Sequence, residues 1–221
     1  MGRRGKVKAI SYSLFGDAEC YTRGVIENCE RALRIYPGWT VMVWSDGSTS
    51  GDVLQRCADL GAEIRVVDPA NPDCRFLRFR AAAEAEIFIS RDADCRLSRR
   101  EAEAVEEWLQ SGRPFHLMHD HYWHNVPVMA GMWGARSPAL PDGFLDAAGA
   151  PQPGCSDQAF LERQLWDGLL AARPELYLNH RGNGWRSGHS VPFPSPRWGK
   201  QFVGDTFLRE SHLDSIERPT T

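Results

Sequence analysis

Nowhere does this chain have an apolar run near the roughly 20 residues that a bilayer-spanning helix needs. Its basic start, Met1-Gly2-Arg3-Arg4-Gly5-Lys6, leads into an apolar stretch too short to be a secretion signal, and Ser11 and Tyr12 soon break it. Both absences predict a cytoplasmic chain without a transmembrane segment. Any C-x-x-C pair is also missing, since Cys20, Cys29, Cys57, Cys74, Cys95 and Cys155 are scattered. Zinc-site spacing is therefore lacking, and a disulfide framework is not expected without a secretion signal. Nor is there an excess of positive charge: 26 Lys and Arg against 29 Asp and Glu leave a formal charge of −3. That balance argues against a dedicated nucleic-acid binder, which presents a basic face. No internal repeat and no low-complexity tract is found.

What remains is an ordinary globular composition, with 221 residues, 42% hydrophobic and 25% charged. Such a length suits one large α/β domain. Apolar and β-branched runs predict strands at residues 7–12, 39–44, 63–67 and 86–90. Helical spacing predicts helices at 21–35, 52–60 and 75–85. That alternation implies a mostly parallel sheet with helices on its faces, and ligands then bind beyond the carboxyl ends of the strands. The second half reads less regularly. Ser98-Arg99-Arg100-Glu101 fits a capping box with Glu101 reaching back, opening a helix to about residue 110. Strands are expected at 115–118, 128–133 and 176–178, a loop at 138–153, and a helix from Ser156 or Asp157 to residue 170. Residues 181–199 read as a flexible tail or lid. We divide the single domain into a nucleotide-binding half (about 7–95), an acceptor-binding half (about 96–205) and a tail (206–221).

Asp92-Ala93-Asp94 ends the strand at 86–90. Two carboxylates spaced in this way at a strand end can aim at one point as the chain turns. Oxygen ligands of this kind suit Mg²⁺ or Mn²⁺, above all one that also binds phosphate oxygens. Asp46, in Asp46-Gly47-Ser48-Thr49, also follows a strand, so the pattern places it on the same rim. An Asx turn alone would also explain Asp46. Arg78 and Arg80 precede the paired aspartates, and arginine binds diphosphate oxygens in a bidentate manner. Residues two apart face different sides of a helix, so one is expected to do so, and Arg78 is preferred. His116, His119, His121 and His124 cluster around Asp120. At alternate strand positions His119 and His121 would share one face and bind metal. With no cysteine or second carboxylate beside them, a role on the acceptor side is preferred. Asp157 begins a helix, where capping alone would place it, but where a carboxylate is also kept ionised as a base requires. Trp123 and Trp185 stand in loops and suit stacking against a sugar face, while Trp133 and Trp166 read as core.

The stretch Val43-Trp44-Ser45-Asp46-Gly47-Ser48-Thr49-Ser50-Gly51 resembles the strand-then-D-G-S-T segment of glycosyltransferase family 2. Ile87-Phe88-Ile89-Ser90-Arg91-Asp92-Ala93-Asp94 resembles the D-x-D strand of the wider GT-A glycosyltransferases. Gly131-Met132-Trp133-Gly134, Ser156-Asp157-Gln158 and Gln201-Phe202-Val203-Gly204 are similar to stretches of small bacterial and viral sugar transferases. The resemblance covers about residues 7 to 205. It implies a single GT-A domain and a metal-dependent glycosyltransferase of polysaccharide biosynthesis. Such an enzyme moves a hexosyl or deoxyhexosyl group from a nucleotide-sugar donor, UDP-linked, to a glycan or other hydroxyl acceptor. It further implies Asp94 as principal ligand of Mn²⁺ or Mg²⁺, Asp92 as ligand or ribose contact, and Asp46 as partner of the uracil N3–H. A C-terminal histidine is implied as third ligand, His180 by its place after a strand, or else His189. Asp157 is implied as general base. Ser156-Asp157-Gln158 departs from the Glu-Asp of family 2 and leaves inverting and retaining transfer both open. Two other functions fit less well. A nucleotidyltransferase would need a glycine-rich basic loop where Ser13-Leu14-Phe15-Gly16-Asp17 stands. A non-catalytic carbohydrate-binding module would not need the four aspartates.

Overall fold

β-branched and aromatic strands alternate with amphipathic helices from the first described residue onward. The structure, a computed structural model, describes residues 7–67, 73–150, 154–186 and 189–206. Strand β1 (Lys8–Leu14) leads to helix α1 (Glu19–Ile35), β2 (Thr40–Ser45), α2 (Gly51–Asp59) and β3 (Glu63–Val66). A 3₁₀ segment, Cys74–Arg80, runs into the short α3 (Ala81–Glu84) and then β4 (Ile87–Arg91). Helix α4 (Arg99–Ser111) connects to β5 (Phe115–His119) and β6 (Met132–Arg136). The short α5 (Phe144–Gly149) precedes α6 (Asp157–Leu161), which continues as a π-helical stretch, Glu162–Leu170. Strands β7 (Tyr177–Arg181) and β8 (Ser190–Val191) complete one sheet ordered β3-β2-β1-β4-β6-β5-β7-β8. Among the described strands only β6 runs antiparallel to its neighbours, apart from an isolated antiparallel bridge between Cys95 and Thr206. Every other pairing is parallel, so the carboxyl ends of β1, β2, β4, β5 and β7 share one rim.

The central strands are covered on both faces, as a parallel sheet requires. One face packs Phe76, Phe79, Phe88, Trp133, Phe144 and Phe160. The other packs Ile10, Tyr12, Val25, Val43, Ile89 and Trp108 beneath α1 and α4. Among the described residues no helix is long and apolar enough to cross a membrane.

Several expected elements differ in detail. Residues 75–85 form the 3₁₀ segment and one α-helical turn, because Ser11 and Ser13 of β1 bind the backbone of Arg78 and Arg75. The strand expected at 128–133 starts at Met132. Before it, the Ala130 carbonyl accepts from Ser90 Oγ (2.8 Å), so main-chain pairing begins opposite Arg91. The loop expected at 138–153 contains α5, whose Phe144 is drawn into the aromatic core. Ser98 caps α4 as expected, its Oγ accepting from the Glu101 amide (3.2 Å). Glu101 does not reach back. Its buried carboxylate accepts from Arg91 Nε (2.5 Å) and Tyr36 Oη (3.1 Å), since a buried guanidinium binds a carboxylate more strongly than a backbone amide does. The 181–199 region holds β8, and 207–221 of the expected tail lies outside the described residues.

Helix α1 fixes the turn after β4 by close approach. Asn28 Nδ2 donates to the Cys95 carbonyl (2.7 Å) and Asn28 Oδ1 accepts from the Leu97 amide (2.9 Å). A Cβ on Gly24 would stand 2.0 Å from the Ala93 carbonyl oxygen and 2.6 Å from Arg96 Nη1. Gly24→Ala must therefore push α1 off the turn. The expected cost is about 2 kcal/mol, read as a lower urea midpoint with an unchanged slope.

Candidate active site

The turn after β4 and the start of α6 meet at one guanidinium. Arg78, 5% exposed, comes from the 3₁₀ segment. Its Nη1 donates to Asp92 Oδ1 and to the Arg91 carbonyl (3.1 Å), and its Nη2 donates to Asp157 Oδ2 (2.5 Å). Two of the sequence-predicted carboxylates, from opposite halves of the chain, thus share one cation. Arg78 is placed to hold those carboxylates, and its Nε is buried without a partner among the described residues. Arg80, two residues on, is half-buried at the start of α3.

Asp92 and Asp94 lie side by side on the turn. Ligand atoms of Asp92, Asp94 and Cys95 all fall within 4.8 Å of one another. Burial and then the like charge of Asp92 push the Asp94 carboxyl above its ordinary range. The Cys95 thiol is pushed well up, by burial and then by Asp92 and Asp94, and donates to the Gly204 carbonyl (3.2 Å). Room for the Asp92 carboxylate exists because residue 131 is glycine: a Cβ there would stand 2.0 Å from Asp92 Oδ2. The donor set fits a hard divalent cation, with two carboxylates converging and one of them held at an electrostatic cost that a cation would relieve.

Asp157 follows the N-cap Ser156, whose Oγ accepts from the Ala159 amide (3.1 Å). Its own Oδ1 accepts from the Gln158 amide (3.0 Å). On the β2 side, Asp46 Oδ1 accepts from the Ser48 amide (2.9 Å) and hydroxyl (2.6 Å), and Oδ2 from the Cys74 thiol (3.1 Å). Burial raises the Asp46 carboxyl, but these donors outweigh it and the net shift is downward. This is the Asx turn that Asp before Gly favours. The same turn is laced to the loop after β1: Gly16 N donates to Ser48 Oγ (2.7 Å), and Ser50 N to Asp17 Oδ1 (2.7 Å).

The histidines are placed elsewhere. His180 Nδ1 meets His116 Nε2 (2.8 Å) and His180 Nε2 meets Glu107 Oε2 (3.2 Å), so both its ring nitrogens are engaged beneath α4. It is not in the group formed by Asp92, Asp94 and Cys95. His189 is exposed beside β8. β5 ends at His119, so His119 and His121 do not share a strand face. His119 instead bonds Asn179 Oδ1 (2.8 Å) and the Val126 carbonyl (2.9 Å). Trp133 is fully buried, and Trp185 packs on Trp166 with centroids 4.7 Å apart, whereas Trp123 is 68% exposed.

Three features went unforeseen. Asp120, fully buried at the end of β5, accepts from Arg100 Nε and Nη2 (both 3.0 Å), Arg197 Nε (3.1 Å) and the Val203 amide (3.0 Å). It pins α4 and the C-terminal segment against the rim. Phe15 (41% exposed) and Tyr21 (42%) flank the loop after β1, and the charge of Asp94 and then burial raise the Tyr21 phenol. Gly131 could have been suspected from Gly131-Met132-Trp133-Gly134; Phe15 and Tyr21 left no pattern, and the histidines around Asp120 pointed to a metal or acceptor role rather than to a buried ionic hub.

No protein-family model and no curated protein matches the chain. Solved structures do. Glucosyl-3-phosphoglycerate synthase from Mycobacterium tuberculosis, in complex with phosphoglyceric acid, superposes with a TM-score of 0.52 at 15% identity, covering 87% of this chain and 73% of that one. The same synthase with Mn²⁺ and UDP-glucose matches at 13% identity and TM-score 0.52, covering 87% and 72%. A mannosyltransferase from Pyrobaculum calidifontis with GDP-mannose and Mn²⁺ gives 0.53 at 15%, covering 88% of this chain. This chain spans only 58% of that mannosyltransferase. These likenesses establish the fold as GT-A.

Replacing Arg78 by Met leaves Asp157, and in part Asp92, without the buried counter-charge. We expect a loss of roughly 3 kcal/mol in urea unfolding. Arg78→Lys should recover only part of it, since an ammonium cannot bridge two carboxylates in the manner of a planar fork.

Proposed function

We propose that the protein is a metal-dependent glycosyltransferase that moves a sugar from a nucleoside-diphosphate donor, UDP-linked, to a hydroxyl acceptor, and that it works in the cytoplasm. The observation that carries this reading is the convergence of Asp92, Asp94 and Asp157 at the carboxyl rim of a GT-A sheet, with Arg78 between them. Asp94 and Asp92 are the residues that would hold Mn²⁺ or Mg²⁺, which when bound supplies positive charge for the departing diphosphate. His180, engaged by His116 and Glu107, is left out of that set.

The chain's own groups divide the remaining work. Asp46 accepts the N3–H of the base with lone pairs left over from its Ser48 and Cys74 bonds. Phe15 and Tyr21 wall the loop on that side. Arg78 keeps Asp92 aimed at the donor and Asp157 aimed at the acceptor. Asp157 receives the acceptor's proton at Oδ1, which among the described residues bonds the Gln158 amide alone, while Oδ2 stays fixed on Arg78.

Two measurements test the reading. Nucleotide-sugar hydrolysis and calorimetric UDP binding should both depend on Mn²⁺ and vanish in Asp94→Ala. Full turnover in that variant would sink the assignment. Asp94→Asn also removes a like charge beside Asp92, so without metal its thermal midpoint should rise by about 2 °C, and Mn²⁺ should no longer raise it. Asp157→Asn should lower kcat by about 10²–10⁴-fold, with Mn²⁺-dependent UDP binding retained.

A further inference from the structure

Two adjacent aromatic side chains, Tyr122 (59% exposed) and Trp123 (68% exposed), project from the turn after β5. Their exposure does not come from a loosely held loop. His124 Nδ1 accepts from the amides of Asp120 (3.1 Å) and His121 (3.2 Å), and the His124 amide donates to the His121 carbonyl (2.9 Å). From below, the Trp185 amide donates to the His124 carbonyl (2.7 Å). Gly184 lies so close that a Cβ there would stand 2.3 Å from the His121 carbonyl oxygen. A turn tied at this many points keeps two large rings in water at a standing hydrophobic cost.

The turn is continuous with the site. Tyr122 packs on His121 with ring centroids 4.1 Å apart, and His121 stacks on Phe202 at 4.1 Å and 19°. Phe202 is followed by Val203 and Gly204, which line the same small cavity as Asp92, Cys95 and Gly131. The two rings therefore sit on the rim next to the metal-ligand turn, on the acceptor half of the chain.

We propose that Tyr122 and Trp123 form a stacking platform for a saccharide ring, so that the acceptor is a carbohydrate; this rests on the glycosyltransferase reading above. A pyranose presents axial C–H groups on one face, which pack on an indole or phenol, and hydroxyls at its edge. The patch matches that duality. It is two rings wide and adjoins His121 and the exposed amide Asn125. A membrane-facing patch would need a wider apolar area with cations at its edge.

The test is saturation-transfer NMR titration of the full chain with cellotetraose, maltotetraose and chitotetraose, in EDTA and without donor. At least one should bind through its C–H face. Affinity should fall about tenfold in Trp123→Ala and in Tyr122→Ala, and Trp123→Phe should restore most of it. Thermal midpoints should stay within about 1 °C of the native chain, since both side chains are exposed. Failure of all three saccharides to bind, or equal binding by Trp123→Ala and Tyr122→Ala, overturns the platform. So does Trp123-dependent sedimentation with phosphatidylcholine–phosphatidylglycerol vesicles. Because donor and metal are absent, these outcomes are independent of the Asp94→Ala result.

Discussion

The guanidinium of Arg78 is the constraint on which the site's geometry depends. It joins Asp92, just after β4, to Asp157, at the start of α6, across 64 residues of intervening chain. A buried charge survives only when paired and hydrogen-bonded, and here two carboxylates and the Arg91 carbonyl share that duty. The backbone of Arg78 is no freer than its side chain. Ser11 Oγ donates to its carbonyl (2.6 Å) and Ser13 Oγ accepts from its amide (2.9 Å). Both serines belong to β1, so the central strand sets where the guanidinium stands, and the guanidinium sets where the two aspartates point.

Asp120 repeats the logic with signs reversed. One buried carboxylate holds two arginines and a backbone amide, and the side it organises is that of α4 and the C-terminal segment. Residue 182 must be glycine for the carboxylate to fit, since a Cβ there would stand 1.9 Å from Asp120 Oδ1. The rim is thus built on two ionic hubs, one cationic between the turn after β4 and the start of α6, and one anionic beside α4 and the C-terminal segment. Hydrophobic burial makes the sheet; these hubs decide what faces water at its edge.

Much of the fold was legible because the first half is locally consistent. Its strands and helices show the right periods, and β1 to β4 came within a few residues of expectation. The second half was harder for physical reasons. Residues 128–131 have a strand's composition but spend their backbone on Ser90 and on making room for Asp92. Helix α5 is too short to show a period, and it is held by one aromatic, Phe144, in a core assembled from distant segments. Within the site, the carboxylates were visible because strand ends and helix starts mark them. What joins them was not: nothing in Arg78 or Asp120 distinguishes a buried hub from a solvated side chain until tertiary contacts form. Glu101 makes the same point. Its spacing from Ser98 fits a cap, yet Arg91, ten residues earlier, claims it.

The charge pattern at the rim also explains why the site calls for a cation. The buried Arg78 guanidinium gives its two terminal nitrogens to Asp92 and Asp157, and the buried Arg96 lies near Asp94. Asp94 receives none of that pairing. Arg96 donates through Nη1 to the Asp94 backbone carbonyl (3.0 Å) and through Nε to Glu27 (2.6 Å), and its charge offsets part of the push on the Asp94 carboxyl. Asp94 therefore sits half-buried against a like charge, and its carboxyl is pushed upward by burial and by Asp92. A structural carboxylate would be expected to gain a partner or move into water. This one is held in place by α1, through Asn28 and the bare Cα of Gly24, with the Cys95 thiol 3.9 Å from its Oδ1 as a weak donor. A divalent cation bound between Asp92 and Asp94 would offset that like-charge contact.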